Sequence, residues 1–395
     1  MPKLDKNSRL RIVVRGYIVR GPLAGMAWHH LQYVMGLDLL GHDVYFVEDS
    51  GDSAWSCYDP VRQVTDTDPS YGLQFARDAF EAVGLNDRWA YYDSHQSSWL
   101  GPGAERIMDI CLTADLLLNL FPEEPLLACL LDIPARALID TDPVFTQIRF
   151  LVDNEARKLA CQHTTFFSFG ENIGRTGSTV PDDGFPWKPT RQPVVLNAWP
   201  VTPGPAQGKF TTIMQWESYP AQEYGGVRYG MKSDSFRPYF DLPATAGRIF
   251  ELALGTASAP RTELSAAGWS LRDPLGPSRS LGEYQQYIQQ SKGEFTVAKH
   301  GYTVSRCGWF SERSASYLAS ARPVIVQDTG FSDWLPASAG VVRFNTPEEA
   351  LAGIREVNSR YDFHCRAARA IAEEYFDARK VLRSLVEQAT DGAQT

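Results

Sequence analysis

Short, nearly apolar runs alternate along the chain with longer stretches of helical spacing. Leu10-Arg-Ile-Val-Val-Arg15 is β-branched and reads as a first strand; Gly21-Pro-Leu-Ala-Gly25 follows as a turn, and Met26 to Leu40 reads as a helix ending at Gly41. Asp43-Val-Tyr-Phe-Val-Glu48 is then a second strand, which completes a β-α-β unit. Helices are predicted near Tyr71 to Val83 and Ala104 to Cys111. Leu116 to Leu120, Arg136 to Asp140 and His163 to Phe169 are further strands, apolar enough to be covered on both faces of a parallel sheet. From Gly174 to Gly208 the pattern dissolves into proline, glycine and polar residues, as a linker does. Phe210 to Trp216 restarts the alternation. The pattern predicts two α/β domains, residues 1–200 and 205–370, with a helical tail around Glu348 to Val357 and Cys365 to Gln388.

Composition agrees. A chain of 395 residues is long for one core and natural for two domains. Hydrophobic residues make up 44% and charged residues 22%, which is ordinary globular usage. The net charge of -9 leads to the expectation of no nucleic acid partner and no anionic membrane. The six cysteines are scattered without a CxxC pair, as buried thiols of a reducing compartment would be. MPKLDKNSRL lacks an apolar signal core, and no run approaches the roughly 20 apolar residues of a membrane span, so a cytoplasmic protein is expected.

Gly293 to Pro336 carries the most chemistry: a strand, a polar turn, a small-residue helix, the apolar strand Pro323-Val-Ile-Val-Gln327 and a glycine turn. Ser311 and Arg313 fall at the helix start, where free N–H groups suit phosphate oxygens; Arg313 adds a forked donor, and Ser311 and Ser314 add hydroxyls. Asp328, Thr329, Gly330 and Phe331 follow a strand, the edge at which open sheets hold ligands. Tyr224-Gly-Gly-Val-Arg-Tyr-Gly-Met-Lys232 is a basic, glycine-rich loop in which Arg228 and Lys232 supply charge.

ARPVIVQDTGFSDWLP, together with this order of elements, resembles the donor domain of GT-B glycosyltransferases. The resemblance implies two Rossmann-like β/α/β domains facing across a cleft, with a last helix, within 371–395, crossing back to the N-terminal domain. It implies a nucleotide sugar held by the C-terminal domain and a small-molecule acceptor held by the N-terminal one. Donor contacts are expected from Lys232, Arg228, Ser311, Glu312, Arg313, Ser314 and Asp328 to Phe331. Phe295-Thr-Val-Ala-Lys-His300 resembles the base-reading segment, with Phe295 packing on the base and His300 beside it. Retaining members carry two glutamates eight positions apart; aligned on Pro323, those positions are Gly308 and Ser316, so the stereochemistry stays open.

Inverting members use a histidine near the start of the first helix, where His29 and His30 stand; a first-turn position would keep such a ring neutral. Asp140 or Asp142 would orient it, and Gly25, Glu171 and Asn172 would face the acceptor. Asp140-Thr-Asp142 has the spacing of a cation-binding motif, but it precedes Pro143 and reads as a turn, so neither metal nor cofactor is expected. Two alternatives stand: an epimerase of the same architecture and a non-catalytic sugar-nucleotide binding protein. The sequence assigns no oligomeric state.

Overall fold

The computed structural model describes residues 9–51 and 53–391, so most of the stretch read for a signal core, residues 1–8, and the last four residues lie outside it. Two sheets carry the chain. The first holds β1 (Arg11–Arg15), β2 (Asp43–Asp49), β3 (Trp89–Asp93), β4 (Ser98–Leu100), β5 (Leu116–Asn119), β6 (Ala135–Asp140), β7 (Thr165–Ser168) and β8 (Trp187–Pro189). Their order is β8-β7-β6-β5-β1-β2-β3-β4, parallel throughout except for β4 against β3. The second holds β9 (Phe210–Gln215), β10 (Phe250–Gly255), β11 (Ser270–Arg272), β12 (Gly293–Thr296), β13 (Val324–Gln327) and β14 (Val341–Phe344). Their order is β11-β10-β9-β12-β13-β14, all parallel.

Each sheet starts at a central strand, grows outward one way, then returns to the other side. The direction reverses between β1 and β5 and again between β9 and β12, and a crevice opens at the carboxyl ends of such a pair. The apolar runs of the sequence form strands of both sheets: Ile12, Val13 and Val14 of β1 are wholly buried, as are Val324 and Ile325 of β13.

Several strands were not foreseen, among them β10, β11 and β14 of the second sheet and β3, β4 and β8 of the first. β3 and β4 are aromatic and polar, and β8 lies inside the proline-rich stretch expected to be linker; as an edge strand ending in Pro189 it needs fewer ladder bonds. The basic loop expected at Tyr224 to Lys232 is largely a hairpin of Gln222–Tyr224 against Val227–Tyr229, turned by Gly225 and Gly226 at φ 60 and 78.

Helix α1 (Ala24–Leu39) is buried along most of its length. It lies between the first sheet and three helices from later in the chain: α2 (Leu281–Gln289), α3 (Glu312–Ala319) and α4 (Ala378–Asp391). The return to the first sheet follows a π-helical turn at Ala372–Phe376 and a bridge between Val194 and Asp377. α4 then crosses α1 at Gly36, where an added Cβ would come within 2.4 Å of Leu382 Cδ1 and 2.9 Å of the Ala378 Cβ. Only glycine permits that approach. One apolar cluster therefore joins the halves, with Trp28 and Trp199 packed 4.9 Å apart near its centre. No helix among the described residues is long and apolar enough to cross a membrane.

Candidate functional site

α3 begins at Ser311, whose side chain accepts from the Arg313 N–H at 3.2 Å. The Arg313 side chain does not wait for a phosphate. Its Nε donates to Glu294 at 2.6 Å, its Nη1 to the Ile213 carbonyl at 2.7 Å and its Nη2 to Thr296 Oγ1 at 3.2 Å. Ser314 donates to the other Glu294 oxygen. Glu294 is wholly buried on β12, so its charge needs this arginine. The expectation that Arg313 and Ser314 clamp a phosphate is corrected: both complete a buried ion pair that fixes α3 against the sheet.

What α3 does offer is its first turn. A narrow crevice runs between the halves, bordered by Gly25, His29 and Gln32 of α1, Tyr284 of α2, and Glu312, Arg313 and Ser316 of α3. The side chains of His29 and Glu312 make no hydrogen bond or ion pair among the described residues. His29 sits in the second turn of α1, and burial holds its pKa down to about 4, so desolvation rather than the helix end keeps the ring neutral. His30 is not in the crevice. Its Nε2 accepts from the Tyr17 N–H at 3.3 Å and its Nδ1 lies 2.8 Å from the Met26 carbonyl, so it is a satisfied core histidine and not a free base.

Lys232 starts the short helix Lys232–Phe236 after the hairpin and has no hydrogen-bond or ion-pair partner among the described residues. Burial pushes its pKa down to about 7; Arg313 and Lys299 add repulsion, while Glu294 and Glu312 act the other way. It follows β9, and Lys299 follows β12, so both cations belong to the loops leaving the reversal point of the second sheet.

The other predicted residues are spent on structure. Asp140 accepts from Ser168 Oγ at 2.7 Å, Thr146 Oγ1 at 2.7 Å, Gln147 Nε2 at 3.0 Å and the Asp142 N–H at 2.9 Å, and orients no histidine. Asp142 reaches the second half: Lys299 Nζ lies 2.9 Å from both its oxygens, and Tyr219 and Tyr302 donate to it as well. Glu171 is paired with Arg191 at 2.6 Å and Arg175 at 3.2 Å. The Asn172 amide donates to the Gly330 carbonyl at 2.9 Å and the Arg306 carbonyl at 3.2 Å. Asn172 binds the halves together and Glu171 is held within the first half, instead of either facing an acceptor.

Arg228 is half-exposed and pairs with Asp234 at 3.2 Å. Phe295 stacks on Phe344 inside the second core. His300 accepts from the Gly230 N–H at 3.3 Å. Asp328 accepts from the Gly330 N–H and from Ser332, Thr329 donates to the Trp309 carbonyl, and Phe331 packs on Phe310, so this turn closes on itself. Donor roles for these side chains are corrected accordingly. The missed residues are Glu294, a carboxylate in an apolar strand that implied a buried partner, and Gln32, which carried no sequence signal. Among the described residues no group of three or more His, Cys, Asp or Glu is placed to hold a metal ion.

No family model and no curated protein sequence matches the chain. Solved structures do. An alpha-glucosyltransferase in complex with UDP superposes with a TM-score of 0.60 at 9% identity, covering 96% of this chain and 100% of that one. AviGT4, a glycosyltransferase involved in avilamycin A biosynthesis, gives 0.53 at 13% identity, covering 98% of each chain. Anabaena HepE in complex with UDP-glucose gives 0.56 at 10%, covering 97% of this chain and 100% of that one. The chain has the GT-B fold. Both sheets and the returning α4 belong to that GT-B arrangement.

One expectation is overturned. Another alpha-glucosyltransferase structure, at TM-score 0.58 and 11% identity, holds UDP and a 13-mer DNA containing an HMU base. The absence of a nucleic acid partner cannot be read from the net charge of a GT-B chain, because total charge averages over a surface on which contact is local.

Proposed function

We propose that the protein is a Leloir glycosyltransferase that moves a sugar from a nucleoside-diphosphate donor to an acceptor hydroxyl without a metal ion. Lys232 carries this reading. It is a part-buried lysine with no ion-pair partner among the described residues, its charge disfavoured first by desolvation and then by Arg313 and Lys299 against the pull of Glu294 and Glu312, at the loop after the central strand of the second sheet. A diphosphate there supplies negative charge that favours the charged form of this lysine. As the bond to the sugar breaks, charge grows on the departing diphosphate, and a preorganised cation stabilises that state more than the ground state. His29 is the group proposed to accept the acceptor's proton, since its ring is neutral and unbonded.

The acceptor is proposed to be a small hydroxyl-bearing molecule lying against the strand ends of the first sheet. The DNA-bound structure makes DNA containing an HMU base the second acceptor to assay. The test is calorimetry of UDP, dTDP and GDP and their hexose conjugates with the wild type and Lys232→Met. The reading expects one nucleotide series to bind and the variant to lose most of that affinity. Equal affinity in a folded variant overturns it. Incubation with the bound sugar nucleotide alone separates transfer from epimerisation, because an epimerase changes the sugar without an acceptor.

A further inference from the structure

Asp142 stands just past the end of β6, and among the described residues every donor to its side chain belongs to the other half of the chain. The Lys299 ammonium is enclosed as well as paired. Its Nζ lies 4.4 Å from the Tyr219 ring centre, 5.2 Å from that of Phe145 and 5.3 Å from that of Tyr302, beside the 2.9 Å contacts to both Asp142 oxygens. The Lys299 side chain is 14% exposed and that of Asp142 30%, so water screens the pair only in part. From this pair the contacts lead on to Lys232. His300 and Gly301, the two residues after Lys299, donate their backbone N–H groups to the Met231 carbonyl at 3.2 Å and the Gly230 carbonyl at 3.0 Å. Gly230 and Met231 immediately precede Lys232. Packing is close at the same place, because a Cβ added to Gly301 would come within 2.5 Å of Phe145 Cζ, from the first half, and 3.2 Å of the Tyr229 Cβ. Tyr219 lies on the connection from β9 to Lys232. Asp142 therefore grips both loops that leave the reversal point of the second sheet.

We propose that Asp142 is a positioning residue for the donor: from the first half it locks the loops after β9 and β12 in the arrangement that presents Lys232 to the diphosphate. This deepens the glycosyltransferase reading and rests on it. Lys232 has no hydrogen-bond or ion-pair partner among the described residues, so its place depends on the backbone that carries it. That backbone is held by His300 and Gly301, and their loop is held by Asp142 through Lys299 and Tyr302. A cation fixed in advance stabilises a developing charge better than one that must first be ordered. Asp142 also brings no free anion to the site, because Lys299 matches its charge.

The experiment is a double-mutant cycle in the full chain: wild type, Asp142→Asn, Lys232→Met and the double variant, with affinity for UDP, dTDP and GDP read by calorimetry and stability by denaturant titration. Asparagine keeps the size of the aspartate and removes its charge. Asp142→Asn is expected to bind the diphosphate about tenfold more weakly than the wild type, and to cost no further affinity when added to Lys232→Met, since no lysine is left to position. Its loss of stability is expected to be the same in both backgrounds. Equal weakening of binding in the two backgrounds makes Asp142 a mere tie between the halves and overturns the proposal, as does wild-type affinity in a folded Asp142→Asn. If Asp142→Asn does not fold, Tyr219→Phe, which removes one donor to the carboxylate, takes its place in the cycle and is judged by the same two outcomes. A wild type that binds none of the three diphosphates overturns the glycosyltransferase reading and this inference with it.

Discussion

The strand ends of the first sheet and the crevice beneath α3 are both rich in polar side chains, and they differ in how those side chains are satisfied. Asp140 receives four hydrogen bonds, and Glu171 two arginines. Across the molecule, Lys232 and Glu312 have no hydrogen-bond or ion-pair partner among the described residues, and the Gln32 Nε2 is unmet there. A saturated group has already spent its interaction energy on the frame. An unsatisfied one keeps it for something that arrives later, which is why the second region is the better candidate site although the first looked as promising in the sequence.

Substitutions in the two regions should therefore separate stability from ligand response. The largest expected effect lies in the ion pair that stiffens α3. Glu294→Gln leaves Arg313 buried without its counter-charge and should lower unfolding free energy by about 3–5 kcal/mol, measured by denaturant titration. A change near zero would mean that α3 is held by packing alone. His29→Ala should slow sugar transfer by about 10²–10⁴-fold while leaving donor affinity unchanged; full turnover removes the ring from the chemistry. Asp140→Asn should cost about 1–3 kcal/mol of stability and leave donor affinity alone, and a binding defect there would erase the contrast drawn between the regions. Lys232→Met should weaken the donor about 10- to 100-fold and leave the fold as stable or more so at neutral pH.

The smallest effect is a pH slope. The Lys232 pKa is depressed to about 7, so the free protein loses this charge as pH rises through that value, whereas an anion beside it favours the charged form. Donor binding should thus take up a proton and weaken between about pH 7 and 9, and Lys232→Met should flatten that slope. The stability linkage has the opposite sense. A lysine lowered from 10.5 to about 7 makes folding less favourable while the group must be charged, so its contribution improves as pH rises between those values.

Legibility followed chemistry. The parallel strands were readable because burial on both faces makes them continuous apolar runs, as in Val324-Ile-Val-Gln327. β8 was not, since one edge strand of Trp187-Lys-Pro189 leaves no such run. Lys232 was readable as a basic residue after a strand. The pairing of Arg313 with Glu294 was not, because the two are 19 positions apart and only the meeting of β12 with α3 brings them together. His29 and His30 are adjacent in sequence, and nothing local distinguishes the one that reaches the crevice from the one held by Tyr17 and Met26.

The close crossing of α4 over α1 at Gly36 has a bearing on synthesis. Helix α1 leaves the ribosome some 340 residues before α4, the surface that covers it. Until residues 378–391 emerge, the first half exposes the apolar face on which Leu382 and Leu385 will sit. The N-terminal half thus cannot finish folding while the C-terminal half is being made, and a chain cut short before α4 should be sticky and prone to capture by chaperones.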